Sequence, residues 1–348
     1  MYKLKEVVNK NDWNNFIINN KEKFEFLSFL SSWEWGFFQE LAGKKVFRFG
    51  IYKNELLIGV LPLIKNEAKR GTYLFAPHSP LILKEYDFFE VIYDLKNFLL
   101  SFSKSQKVDF IRFNSPVKNT LNNKNCFKKL GFLDAPMHEH AEDTHLLDLT
   151  PSEENLLSNM KKEDRYYINR AIKEGVKIVI GNTNEQIDLL SSMHQKHSEK
   201  IGYHSFSCDF IKMLYESFGD NITTISARYN GKVESILMTI RFANTCVYYI
   251  AASDIVSHKF SPNYLCQWET IKNAKENGCT IYNFWGVSPD NNPKHPIAGV
   301  SKFKRKFSGY DYSLLHAQDL PITKKYWINY IIESIRRVKR GYYYKKPE

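Results

Sequence analysis

Two stretches of the chain alternate apolar and polar residues on either side of a turn. VFRFGIYKNELLIGVLPLI (46–64) predicts two strands about Asn54. ITTISARYNGKVESILMTIRF (222–242) predicts two strands about Asn230-Gly231, the dipeptide that best tolerates the positive φ of a type I′ turn. A Tyr precedes each turn, at Tyr52 and Tyr229. After the first hairpin come a short strand (TYLFAP), a helix with Phe88, Phe89, Ile92, Leu95, Leu99 and Phe102 at helical spacing, and the strand KVDFIRF. After the second come CVYYIAAS, a helix over 263–277 and CTIYNFWG. The same order of elements twice in one chain predicts two copies of one domain.

Between the copies lies HLLDLTPSEENLLSNMKKEDRYYINRAIKEGVKIVI. Thr150, Pro151 and Glu153 make a capping box with Pro at the first helical position, and Gly175 supplies a stop, so one helix of about 24 residues is predicted. Its second half carries Lys161, Lys162, Arg165, Arg170 and Lys173, which read either as a solvated surface near the helix C-terminus or as contacts to a polyanion.

The order helix, hairpin, strand, helix, strand, closed in the first copy by CFKKLGF (126–132), predicts an α/β fold on mixed sheets. It resembles the acetyltransferase-like (GNAT) fold, twice in tandem. Neither copy shows the R/Q-x-x-G-x-G/A loop that holds the pyrophosphate of an acyl-CoA. The predicted division is an N-terminal domain over 1–145, a C-terminal domain over 146–322, and a basic amphipathic helix over 323–348.

Composition narrows the class. The 348 residues are 43% hydrophobic and 25% charged, which excludes a disordered chain or a fibre. Mean hydropathy is −0.42, no stretch approaches the roughly 20 apolar residues of a membrane span, and MYKLKEVVNKNDW lacks a signal-peptide core, so a cytoplasmic protein is expected. Five scattered cysteines without a CxxC pair argue against a disulfide framework or a zinc site. Lys and Arg number 49 against 38 Asp and Glu, a formal charge of +11 that favours RNA, nucleotide phosphates or an anionic membrane surface as partner. MHEHAEDTH clusters His138, His140 and His145 at spacings that fit no standard metal site, and none is expected. His194 and His197 read as a half-exposed helix surface.

The block LDLTPSEENLLSNMKKEDRYYINRAIKEGVKI resembles the opening of the second domain in the FemABX family of non-ribosomal aminoacyltransferases. HSEKIGYHSFSCDFI (197–211), YYIAASD (248–254) and YNFWGVSPDNNPKHPIAGVSKFKRKFSGYD (282–311) agree with it in order and spacing. The resemblance is most specific over 145–321. It looks like the compact, FemX-like kind, without the long helical hairpin that some members insert.

The resemblance implies an enzyme that takes an amino acid from aminoacyl-tRNA and places it on an amine of the stem peptide of a UDP-linked or lipid-linked muropeptide precursor. That is a step of interpeptide-bridge formation in peptidoglycan and cell-wall biogenesis, tied to cell shape. Aminolysis of an ester needs no cofactor, and positive charge beside the developing oxyanion is its main aid. The family's Phe-Lys pair falls on Phe303-Lys304, within KFKRKF. Its phosphate-binding Arg falls on Lys200 in Ser198–Tyr203, a position that also reads as a helix C-terminal charge. The acidic residue of its I-R-x-D/E-P segment is replaced by Asn114 or Ser115. Arg165 is assigned to the anionic-substrate surface. Tyr249, Asn263, Tyr264 and Trp285 read either as packing or as a stacking wall for uracil, sugar or the tRNA end.

The tail TKKYWINYIIESIRRVKRGYYYKKPE sets Tyr326, Trp327, Tyr330 and Ile331 beside Arg336, Arg337, Lys339 and Arg340. It predicts peripheral contact with the inner face of the plasma membrane, packing on the second domain, or RNA contact. Two other functions compete with aminoacyl transfer. One is an acyl-CoA-dependent N-acyltransferase acting on a polysaccharide or amino sugar, which a β-bulge with splayed strands would favour. The other is an inactive RNA- or membrane-binding module. The sequence leaves open the amino acid donated, the accepting amine, the carrier of the acceptor, the general base and the oligomeric state.

Overall fold

A computed structural model of the protein describes residues 1–68, 71–201, 205–254, 261–290 and 292–348, the side chains of residues 200 and 201 excepted. The chain divides into two compact units. Met1–Thr144, Gly286–Gly299 and Tyr312–Glu348 form the first, and His145–Trp285 and Val300–Asp311 the second.

The first unit begins with β1 (Tyr2–Glu6), α1 (Lys10–Asn19), α2 (Trp33–Leu41), β2 (Lys45–Lys53), β3 (Leu56–Ala68) and β4 (Gly71–Ala76). It continues through β5 (Leu81–Ile82), α3 (Phe88–Ser105), β6 (Phe110–Phe113), α4 (Leu121–Lys129) and β7 (Leu133–Asp134). The hairpin expected at Asn54 is β2–β3, closed from Lys53 to Leu56 with both turn residues at positive φ, Asn54 at 47° and Glu55 at 65°. α3 starts where the Asp87 side chain accepts from the Glu90 amide. It buries Val91, Ile92, Leu95 and Leu99 in a core with Phe47, Ile111, Phe113 and Phe127.

The second unit repeats that order. It runs through β8 (Asp143–Asp148), α5 (Glu153–Ser158), α6 (Lys162–Lys173), β9 (Lys177–Gly181), α7 (Asn184–Ile201) and α8 (Cys208–Phe218). Then follow β10 (Ile222–Tyr229), β11 (Lys232–Phe242), β12 (Thr245–Ser253), α9 (Pro262–Glu276), β13 (Ile281–Gly286), α10 (Ala298–Lys304) and β14 (Tyr310–Ser313). Its sheet has the order β14-β8-β13-β12-β11-β10-β9. The expected hairpin is β10–β11, with Asn230 at φ 49° and Gly231 at φ 76°. Ile168, Ile225, Leu237, Trp268, Ile271, Tyr282 and Phe284 build its core.

Two expectations change here. The single helix over the linking segment is two, α5 and α6, with Lys161 extended between them. Its cap is Ser152, whose side chain accepts from the Asn155 amide, while Thr150 bonds to Asp148 instead. The break is sealed by Arg165, whose Nη1 donates to the carbonyls of Ser158 (2.9 Å) and Met160, satisfying the C-terminal end of α5.

The second change concerns the end of the chain. β15 (Gln318–Pro321) enters the first sheet between β6 and β7, giving the order β1-β2-β3-β4-β6-β15-β7, with β5 on β3. Residues 312–322 therefore group with the first unit, as Gly286–Gly299 do, where a C-terminal domain over 146–322 was expected. The cause is one cross-strand pair. Arg112, opposite Asp319 in the register, donates Nε and Nη2 to the two Asp319 oxygens at 2.8 and 2.9 Å. Its Nη2 also donates to Glu333 of α11 (Tyr326–Arg340) at 2.8 Å. Tyr326 packs edge-on against Phe110 and is wholly buried, so α11 lies on this first unit.

Breaking a buried ion pair by removing one partner leaves an uncompensated charge. Arg112→Met should cost about 3–5 kcal/mol in urea unfolding. Adding Asp319→Leu and Glu333→Leu should restore most of that loss, and a single-variant loss below about 1 kcal/mol would contradict the assignment.

Candidate active site

In the second unit, β12 pairs in parallel with β13 through Thr245↔Ile281, Cys246↔Tyr282 and Val247↔Asn283, and beyond that the strands part. On its other side β12 carries a bulge: Thr239 faces Tyr248 and Met238 faces Ile250, so Tyr249 is the extra residue. β13 is turned away at its end, where the Asn283 side chain accepts from the Trp285 amide at 2.7 Å and Trp285 adopts φ 63°. A bulky side chain at positive φ is strained backbone, of the kind that persists where a site over-determines it. In the first unit the corresponding strands β4 and β6 stay paired from Tyr73↔Phe110 to Ala76↔Phe113.

The splay gathers side chains on two faces of β12. On one, Tyr249 meets Trp285 edge-on at 6.0 Å and Phe206 at 6.1 Å, and Phe206 stacks on Phe210 (4.4 Å) and His194 (5.5 Å). Burial pushes the Tyr249 hydroxyl above its ordinary pKa, so it acts as a neutral donor or acceptor. His194 is 4% exposed rather than half-exposed, and the same burial keeps its imidazole neutral down to about pH 4.

On the other face, Tyr248 lies 5.6 Å from Nζ of Lys304, the last residue of α10. Lys304 is buried, and that burial brings its pKa down to about 7. Its neighbour Lys306 has the opposite fate. Burial opposes its charge, but hydrogen bonds to Tyr264 and to the buried Asp164 (3.0 Å) outweigh that and hold it as a cation. Lys304 and Lys306, two residues apart, thus differ: burial lowers the pKa of one, and an ion pair with Asp164 holds the other charged.

The other predicted residues separate as well. Phe303 packs on Tyr264 at 5.3 Å and on Phe307 at 5.2 Å, at the margin of the core. Tyr264 is buried beside Tyr167 and Lys306, so it builds core instead of a substrate wall. Asn263 is half-buried at the start of α9. Arg165 is engaged in closing α5, which removes Nη1 from an anionic surface. The Lys200 side chain lies outside the described residues. Sequence reasoning missed Tyr248, Asn283 and the Lys306–Asp164 pair. Alternation supplies the signal for the first: adjacent tyrosines on a strand point to opposite faces, so a site on both faces needs both.

Among the described residues, His138, Glu142 and His316 of the first unit bring their ligand atoms within 4.8 Å. The chemistry is not that of a metal site. His316 Nδ1 meets Glu142 Oε2 and Nε2 meets the Ala135 carbonyl, both at 2.7 Å. Both partners are acceptors, so both nitrogens carry protons and neither has a lone pair to give. Burial pushes this imidazolium down, while the Glu142 charge and the two hydrogen bonds more than reverse it. Tyr344 stacks on it at 3.6 Å. His145 belongs to the second unit and bonds to Asp311 and the Ser308 carbonyl.

The FemAB family profile matches residues 130–233 and 232–334, more than half of the chain. Aminoacyltransferase FemA of Staphylococcus epidermidis is 38% identical over 69 residues, which are 20% of this chain and 16% of FemA. The chain is thus aligned with well under two thirds of that relative. The crystal structure of FemX matches with a TM-score of 0.81 at 14% identity, over 95% of this chain and 100% of that one. A tandem GNAT protein from the clavulanic acid biosynthesis pathway matches with a TM-score of 0.58 at 8% identity, over 93% and 99%. The fold is therefore two GNAT-like domains in tandem.

A buried lysine with a depressed pKa is retained against stability. Its folded form gives up the proton near pH 7 while the unfolded chain holds it to about 10.5, so stability rises with pH across that window. Lys304→Met should raise the Tm most at or below pH 7, with the gain shrinking towards pH 10.5. Equal melting of both proteins at every pH would contradict the burial argument.

Proposed function

We propose, for a chain that belongs to the FemAB family, that it transfers an amino acid from aminoacyl-tRNA to an amine of the stem peptide of a peptidoglycan precursor. The observation that carries this is Lys304, buried beside Tyr248 at the point where β12 and β13 part. An extended acyl group enters between splayed strands most readily where one strand is bulged, and the bulge at Tyr249 is there.

The chemistry follows from that placement. The attacking amine is neutral, the ester carbonyl becomes an oxyanion, and the ribose hydroxyl leaves. Lys304 faces that oxyanion. A nearby tRNA phosphodiester raises its pKa from about 7 and keeps it charged when donor is bound. Phe303, held against Tyr264 and Phe307, fixes the end of α10 and with it the Lys304 ammonium. Tyr249 and Trp285 form the stacking wall for the tRNA end. The reaction calls on no cofactor or metal. Partners are aminoacyl-tRNA and a UDP-linked or lipid-linked muropeptide, Lys200 binds the precursor's phosphates, and the protein works in the cytoplasm, peripherally at the inner face of the plasma membrane.

The same bulge and splay favour a second reading, N-acyl transfer from an acyl-CoA to a polysaccharide or amino sugar. Radiolabel from a mixture of charged tRNAs, offered to UDP-linked and lipid-linked muropeptide with acetyl-CoA as a parallel donor, separates the two. Labelled muropeptide that falls about 10²–10³-fold in Lys304→Ala is expected. Acetylation of an amino sugar with no transfer from any tRNA would overturn the aminoacyltransferase.

A further inference from the structure

Because Glu333 and Tyr326 turn inward, α11 has a fixed outward face. It presents Trp327, Ile328, Ile331, Ile335 and Val338, each between 50% and 75% exposed. At about 100° per residue these five fall within an arc of about 100°, a continuous apolar stripe of the width that other helices bury in a core. Isolated exposed apolar residues need no explanation, but a contiguous stripe does.

The charges around it are one-sided. Lys324 and Lys325 open the helix, and Arg336, Lys339 and Arg340 stand over its last turns. The one acidic residue from 324 to 346 is Glu333, which is spent inside on Arg112. An apolar stripe rimmed by cations fits a surface that is apolar within and anionic at its face. A nucleic acid offers the charge without an apolar layer to dehydrate the isoleucines, and a second copy of the helix brings like charge against like. No helix among the described residues is long and apolar enough to cross a membrane, so a helix of this kind lies along one.

We infer that the outward face of α11 is a docking surface for an anionic lipid bilayer. Trp327, Ile331, Ile335 and Val338 enter the acyl boundary, and the flanking Lys and Arg side chains meet phosphate headgroups. The surface rests on α11 alone; only the choice of the inner leaflet rests on the function proposed above.

Co-sedimentation of the full chain with vesicles tests this without tRNA or muropeptide. Vesicles mixing phosphatidylglycerol with phosphatidylcholine should bind at least about tenfold more tightly than phosphatidylcholine alone. Ile331→Ser/Ile335→Ser should lose at least about tenfold in vesicle affinity at unchanged Tm, because both side chains are exposed. The same variant should retain transfer to a UDP-linked acceptor, so loss of docking and loss of the reaction are read separately. The proposal is overturned if the wild type ignores anionic vesicles at low salt. It is also overturned if the double variant binds them like the wild type, or if that variant instead abolishes self-association or tRNA binding.

Discussion

Arg112 is the constraint on which the first unit is organised. A guanidinium that is 2% exposed and anchored to Asp319 and Glu333 fixes three things together. It sets the register of β15 on β6, it makes residues 312–348 part of a unit that they reach only after the whole second unit, and it decides which side of α11 faces inward. The apolar stripe on the other side follows from that choice. Such a pair is weak evidence for stability, since well-packed apolar residues of the same volume often do as well. Its contribution is register, because a strand shifted by one position would bury Asp319 without a partner.

The second unit is organised by a different device, a sheet that is allowed to come apart. The Asn283 side chain turns β13 at Trp285, and the bulge at Tyr249 kinks β12 on the opposite edge. Between them the strands separate at Val247 and Asn283, next to an amine that burial has made titratable near neutral pH. The first unit keeps the same two strands paired, so a fold used twice carries this opening in one copy. Strain at Trp285 and the buried amine of Lys304 both oppose stability.

Much of this was legible in the sequence. Period-2 alternation and two Asn turns gave both hairpins, helical spacing gave α3 and α9, and the repeated order gave the tandem fold. What escaped was non-local. Ser152 outcompetes Thr150 as a cap because Thr150 is already bonded to Asp148, and the α5–α6 break depends on a carbonyl cap supplied by Arg165. β15 reads as an unremarkable QDLP until Arg112 is seen opposite it. Of the proposed site, only Phe303-Lys304 is marked by a motif in the sequence. The rest was illegible where packing and backbone irregularity decided the placement: Tyr264 packs inward, and Tyr249 is displaced by a bulge that no local pattern announces.

The proposed reaction requires the acyl donor to enter the second unit where β12 and β13 part. Hydrogen–deuterium exchange of the full chain, with and without a hydrolysis-resistant aminoacyl-tRNA analogue, reads this directly. Slowed exchange is expected at residues 248–253, 283–286 and 298–307, with no such change from coenzyme A. Protection confined to the first unit, or the same pattern with coenzyme A alone, would contradict it.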